Sequence, residues 1–423
     1  EIDELALNPI YDIERSFLGA SLECEENGIQ IDVVRMRDME RKNEDTLISS
    51  MRDLNSLVGH TVNPNSPKQI VKLLVNELGI SLPVTKSGPS TSIDSLRCLK
   101  DILEFVDGNE RVVRILESLI CAKRARATLM RLRELSRYID PKTNRLHPYF
   151  KTIGGADTGR ASSSCPNIQN IPKTEEFRSL LTATPGYRLI CFDFSQNEPR
   201  VLAHFLHPSK FSELFFLPGD FYERMRDQIF KSQLTFDRGV LKAIVLAVFY
   251  GKSPTALADD LRVDVVTARK MLDDFFNAFP EIMAFRDAIV RQAAADGWVV
   301  GMLGRRRYLP DLLSADPYRR RGAVERFAIN TIVQGGAATL FKFKVGELRR
   351  GLPAFARFLI HCHDELLFEV PETLAVDTFM AAKAILEAPV PWFSIPLKVE
   401  GGIGLSWFEA KTKTLNPSQG GVA

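Results

Sequence analysis

Phe358-Leu359-Ile360-His361-Cys362-His363-Asp364-Glu365-Leu366-Leu367-Phe368-Glu369-Val370 reads as two apolar strands joined at a tight turn that carries two carboxylates. A third strand is expected far upstream. Tyr187 to Phe194 alternates, is rich in β-branched and aromatic residues, and feeds a helix expected to begin near Pro199. Leu397 to Gly404 reads as the last strand. Late strands must then pair with an early one, so a central sheet is assembled from distant segments, and the class is α+β.

Working outward, the first 150 residues read mostly as helix. Arg35 to Leu57 is a long, charged, amphipathic stretch, and Ser66-Pro67-Lys68-Gln69 carries the signals of a helix start, sending Ile70, Leu73 and Leu74 inward. Pro83 to Ser92 reads as a flexible connection. A basic helix is expected from about Glu110 to Tyr138, a long polar loop over 153–172, helices over 205–295, a short hairpin over 296–310 with Gly301 and Gly304, and another helix from Glu325 to Arg350. No internal repeat is visible.

With 423 residues the chain has room for roughly three structural units and a substantial core. Its 45% hydrophobic and 26% charged residues are those of an ordinary soluble globular protein, which excludes fibrous and low-complexity classes. The net charge of +2 points to no partner, but its distribution is uneven. Residues 1–60 carry 14 acidic against 6 basic side chains, 111–145 carry 10 basic against 3 acidic, and 301–350 carry 11 basic against 4 acidic. Two basic stretches of this kind suit either one electropositive groove or solvated helix faces. The six cysteines form no CxxC pair, so reduced intracellular thiols are expected rather than a zinc ribbon or a disulfide framework. No apolar run is long enough to span a bilayer, and the start, Glu1-Ile2-Asp3-Glu4, resembles no signal peptide and lacks Met, as in a processed or truncated piece of a longer protein.

Four segments carry candidate chemistry. Phe192-Asp193-Phe194-Ser195-Gln196-Asn197-Glu198-Pro199-Arg200 puts a carboxylate at a strand end before a helix. Alone, Asp193 reads as a turn residue, Asp364 as another, and His361 with His363 as a zinc pair lacking a third ligand. If the strands are neighbours, Asp193 and Asp364 converge, the way oxygen-ligand sites for two Mg²⁺ ions about 3.5 to 4 Å apart are built. Arg238, Lys242, Leu246 and Tyr250 recur every four residues, a helix stripe roughly 18 Å long, comparable to an extended nucleoside triphosphate. Without other support that stripe is an ordinary amphipathic helix. The loop Gly154 to Pro172, with short polar side chains and Arg160, suits contacts to a phosphodiester backbone or a plain surface loop.

Together these segments resemble the family A DNA polymerases, the group of bacterial DNA polymerase I. Motifs similar to TGRxSSxxPNxQNIP, DxSQxExRxxAH, RxxxK followed by YG, and HDE stand at Thr158 to Pro172, Asp193 to His204, Arg238 to Gly251, and His363 to Glu365. Ala323 to Leu340 looks like the family's helix before the HDE hairpin, and the resemblance covers essentially the whole chain.

That resemblance implies a right-hand polymerase fold with a helical thumb (1–150), an antiparallel-sheet palm (151–204 and 325–423) and helical fingers (205–324). It implies template-directed extension of a DNA primer with deoxynucleoside triphosphates by a monomer in the cytoplasm of a bacterial or phage-infected cell, or in an organelle, with no membrane partner and no proofreading domain in this chain. Asp193 and Asp364 would hold two Mg²⁺ ions, with Mn²⁺ able to substitute, and Glu365 and Lys242 would complete the catalytic set. Arg238, Lys242, Leu246, Tyr250, Gln196, Tyr222 and Glu198 would face the nucleotide, Glu198 as the block to a ribose 2′-hydroxyl. Arg160, Asn167, Gln169, Asn170, Arg326, Asn330, Gln334 and His363 would contact primer and template. Three departures stand out: Leu246 where the family has an aromatic ring, Tyr222 where many relatives have His, and Asn197 and Pro199 at usually aliphatic positions. Such variation fits a phage or plastid-like relative. Two other readings are a single-subunit RNA polymerase, against which Glu198 argues, and an inactive polymerase-like DNA-binding module, against which the intact Asp193, Arg238, Lys242 and Asp364 argue.

Overall fold

The computed structural model describes residues 7–85, 88–230, 238–249, 251–309 and 316–413, with the side chains of 230 and 317–326 outside that description. The chain divides into two compact units, one made of 31–146 and the other of 1–30 with 147–423. The helical segment expected over 1–150 therefore forms a unit of its own only from 31 to 146.

In the helical unit, the helices Val33–Val58 and Glu110–Ser136 bury a shared face. Leu54, Ile70, Leu73, Leu74, Leu96, Ile115, Leu116 and Leu119 are its core, so the three residues expected to point inward do so. Ser66 caps the helix Pro67–Val71 by accepting from Gln69 N, while Gln69 Oε1 takes the N–H of Asn63 instead of closing the box on Ser66. Pro83–Ser92, expected as a plain connection, contains a two-residue ladder of Val84–Thr85 with Gly88–Pro89.

The other unit is built on a four-stranded antiparallel sheet in the order Arg357–Cys362, Glu365–Pro371, Tyr187–Phe194, Val399–Gly404. The early strand lies in the interior of the sheet, flanked on both sides by late ones. Its register pairs Glu365 with Asp193, Leu367 with Cys191 and Glu369 with Leu189 on one side, and Gly401 with Phe192 on the other. Leu189, Ile190, Cys191 and Phe192 are fully buried, as are Phe358, Leu359, Leu367 and Phe368, so the middle of the early strand is covered on both faces and does not alternate as expected.

Helices pack around the sheet. Asn8–Asn27 sets Phe17 edge-on to Phe341 of the long helix Pro317–Gly351. That long helix begins eight positions before the expected Glu325, at Pro317. It approaches the helix Asn197–Leu206 through Gly336, where a Cβ would lie 2.5 Å from Val201. The loop expected over 153–172 contains the strand Ser162–Ser164, paired with Tyr149–Lys151, and a 3-10 turn Ile168–Asn170. The hairpin near 296–310 is present as Trp298–Val300 with Arg306–Tyr308. All six cysteines are free.

Candidate active site

The carboxylates lie where the strands end. Asp193 stands opposite Glu365 in the ladder, and Phe194 N donates to Asp364 O at 3.1 Å, so the turn His363-Asp364 is fastened to the end of the early strand. His363 takes a left-handed backbone, φ 59°, which the tight reversal requires. Burial, and then the negative charge of Asp364, push Asp193 up to about 6, and burial raises Asp364 as well. Two half-buried carboxylates that disfavour each other's charge form a hard-oxygen site in need of a cation. Among the described residues no group of three or more His, Cys, Asp or Glu side chains gathers around a metal position. Mg²⁺ held by one or two carboxylates plus substrate phosphates needs no such group, so the donors fit that ion.

Glu365 sits behind this pair. Its carboxylate accepts from Arg178 Nη1 at 2.9 and 3.3 Å, from Cys191 Sγ at 3.2 Å and from the indole N–H of Trp407, while the Arg178 guanidinium lies 4.1 Å from the Trp407 ring. Burial pushes Glu365 up, but Lys411, Arg178 and the Trp407 hydrogen bond outweigh it and hold the group below its ordinary value. Glu365 is thus a buried organiser of its neighbours. Lys411 forms an ion pair with Asp193 Oδ2 and lies 3.7 Å from Glu365 Oε2.

The remaining expected residues fall into three groups. Arg160, Gln169 and His363 line one narrow cavity with Phe17, Lys342 and His361, and Gln169 donates to His361 O at 3.2 Å. Arg160 also reaches Glu198 on the helix Asn197–Leu206. Gln196, with φ 50°, is the left-handed residue just before that helix, which begins at Asn197, two positions before the expected Pro199. Asn167 is exposed and accepts from Ser163 Oγ at 3.1 Å, and Asn170 is exposed. Asn330 and Gln334 are half-buried on the long helix, one turn apart, and the side chain of Arg326 lies outside the described residues.

On the helix Arg238–Phe249, Arg238 and Lys242 are exposed and Leu246 is half-buried, whereas Leu241, Ile244, Val245 and Val248 are buried. The every-fourth-residue stripe is therefore the outward face, and Tyr250, its expected last member, lies outside the described residues. Tyr222 is buried, with the Arg238 guanidinium 5.1 Å from its ring, and Asp220 lies 3.7 Å from Arg238. Tyr222 thus supports Arg238 from beneath. The zinc alternative for His361 fails: its ring is buried against Phe17 and Phe150, and Nε2 is 3.0 Å from Ser21 Oγ.

Sequence reasoning missed Arg178, Trp407 and Lys411. Ser406-Trp407-Phe408-Glu409 does carry a helix-start signature, and Ser406 caps the helix Trp407–Thr412 while Glu409 reaches back to Leu405 N. Nothing local in it signals that Lys411 reaches Asp193.

A sheet of this order with carboxylates at its strand ends, flanked by helices, is the architecture of a polymerase right hand. The solved structure of the POL domain of Pol1 from M. smegmatis, a complex with DNA primer-template and dNTP, matches with a TM-score of 0.82 at 30% identity, covering 94% of this chain and 70% of that one. Residues 34–409 match the model of DNA polymerase family A, and the chain belongs to that family. It is 31% identical to the thermostable DNA polymerase I of Thermus filiformis over 95% of this chain and 48% of the relative. For DNA polymerase I of Geobacillus stearothermophilus the identity is 32%, over 97% and 47%. The chain spans about half the length of the curated relatives it matches. Its fold is α+β, the family A polymerase architecture. Among the described residues no helix is long and apolar enough to cross a membrane.

Proposed function

We propose that the chain extends a DNA primer on a template strand with deoxynucleoside triphosphates. The observation that carries this reading is the convergence of Asp193 and Asp364 at the ends of paired strands, together with the exposed Arg238 and Lys242 on the outward face of the helix Arg238–Phe249. The family depends on divalent metal ions, and here two Mg²⁺ ions, or Mn²⁺ in their place, would be held by Asp193 and Asp364. Bound there, the ions would lower the pKa of the primer 3′-hydroxyl and balance the charge on the leaving pyrophosphate.

The protein's own groups do the rest. Arg238 and Lys242 hold the triphosphate, and Tyr222 with Asp220 fixes the direction of the Arg238 guanidinium. Glu198, held by Arg160, crowds the 2′ position of the incoming sugar, and Leu246 fills space beside it. Gln169, His363, Asn330 and Gln334 face the primer-template near the nascent pair. The helical unit is the thumb, the four-stranded sheet the palm, and the helices between 205 and 324 the fingers. The chain works as a monomer in the cytoplasm.

A primer-extension assay with a defined template, all four deoxynucleotides and Mg²⁺ tests this. Template-dependent extension that ends when one nucleotide is withheld is expected. No extension, or extension indifferent to template sequence, overturns it.

A further inference from the structure

Asp193 already has a cation on it. The helix Trp407–Thr412 follows directly on the strand Val399–Gly404, and their approach is close enough that only glycine fits: a Cβ on Gly402 would lie 1.9 Å from Lys413 O, and one on Gly404 would lie 2.5 Å from Ala410 N. Trp407 is buried, its indole N–H bonded to Glu365 and its ring under Arg178. With the helix fixed at both ends in this way, the Lys411 ammonium is delivered onto Asp193 Oδ2. Of the other cations nearby, Arg178 is engaged on Glu365 and Arg160 on Glu198.

The geometry points to Lys411 as a tethered competitor for the divalent ion: it occupies Asp193 when no ion is bound and must give up that oxygen when one enters. This inference rests on the reading of Asp193 and Asp364 as the metal-holding pair. Its physical basis is charge. Without an ion, the ammonium balances two facing carboxylates. When a doubly charged ion arrives, the same ammonium repels it at a few ångströms, in surroundings less polar than water. An ion arriving with a triphosphate brings compensating negative charge, so Lys411 disfavours the free ion more than the ion that comes with its nucleotide. The lysine thereby ties metal loading to substrate binding.

The test is the binding of Mn²⁺ alone, followed by electron paramagnetic resonance on the 423-residue chain without DNA or nucleotide. Lys411→Met is expected to bind Mn²⁺ more tightly than the wild type, on the order of tenfold, and to gain more thermal stability from it. Lys411→Gln should move the same way and guards against poor folding of the Met variant. Lys411→Arg, which keeps the charge, should stay within about twofold of the wild type, the effect being electrostatic. Lys413→Met removes the same charge from a lysine that pairs only loosely with Glu409, at 3.7 Å, and should also leave the affinity unchanged. Unchanged or weaker Mn²⁺ binding in both Lys411→Met and Lys411→Gln overturns the inference. Asp193→Asn separates the two readings. If it binds Mn²⁺ as the wild type does, the metal assignment fails and the inference with it. If it loses Mn²⁺ while the Lys411 variants do not change, only the inference fails.

Discussion

Arg160 Nη2 lies 2.5 Å from Glu198 Oε1, an ion pair that joins the loop before the early strand to the first turn of the helix after it. Both side chains are largely shielded, at 27% and 12% exposure, so the pair is better insulated from solvent than a surface contact. Glu198 is therefore held in place, which suits the sugar-excluding role proposed for it.

From that arrangement, Glu198→Ala is expected to raise ribonucleotide incorporation relative to deoxynucleotide incorporation by about tenfold or more, the scale on which a pocket discriminates one small group. Glu198→Gln keeps the bulk and should retain most of the sugar preference. Single-nucleotide incorporation with matched ribo- and deoxyribonucleotides measures both. A Glu198→Ala enzyme that is less stable yet equally selective would mean that Glu198 serves only the helix start.

The metal pair gives a sharper expectation. Asp193→Ala and Asp364→Ala should each abolish extension while primer-template affinity, measured by fluorescence anisotropy, stays within a few-fold, because charge stabilisation and groove binding reside in different residues. Appreciable extension by either variant would refute the assignment.

Leu246 lies on the outward stripe below Arg238 and Lys242, where an aliphatic side chain can fill space but cannot stack on a base or replace a missing 3′-hydroxyl. The wild type should discriminate against dideoxynucleotides. Leu246→Tyr adds a ring and a hydroxyl and should raise the ratio of dideoxy to deoxy incorporation by about tenfold, the worth of one hydrogen bond. An unchanged ratio would mean that Leu246 does not face the nucleotide.

His361 sets a pH dependence of stability. Burial, and then the nearby Lys342 charge, hold its pKa down at about 3, against an ordinary 6.5. The folded chain keeps it neutral while the unfolded chain takes up a proton below pH 6.5, so stability falls as the pH drops from 6.5 towards 3, by about 2 kcal/mol at pH 5 from this group alone. All three tryptophans, Trp298, Trp392 and Trp407, lie in the unit that contains His361, so their fluorescence reports its unfolding. Urea transitions at pH 7 and pH 5 should therefore differ less in His361→Gln than in the wild type. Equal differences would show that His361 is not the group responsible.

The residues themselves show how far the sequence could be read. The strand at 187–194 and the hairpin at 357–371 declare themselves through apolar runs and a turn, and their pairing puts Asp193 beside Asp364 without knowledge of any side-chain contact. The stripe of Arg238, Lys242 and Leu246 follows from helical periodicity alone. Lys411 on Asp193 joins residues 218 positions apart, and Arg178 on Glu365 joins residues 187 apart. Ion pairs between distant elements depend on tertiary packing and leave no periodic trace. The helix starts at Asn197, two residues before the visible signal of Pro199, because the left-handed Gln196 that turns the chain leaves no mark in the sequence.

The strand order also bears on how the chain is made. Leaving the ribosome from its N-terminal side, the helical unit 31–146 can close around its own contiguous core at once. The strand Tyr187–Phe194 follows with both edges bare, and its ladders wait for 365–371 and 399–404 to be translated. At about 5–20 residues per second that interval is on the order of ten to forty seconds. Throughout it, the fully apolar run from Leu189 to Phe192 presents unpaired backbone on either side, a template for any other extended chain nearby. Slowing translation between these segments should lower the yield of folded protein even though no amino acid is changed, and Asp193 reaches its final surroundings only after both later strands have been made.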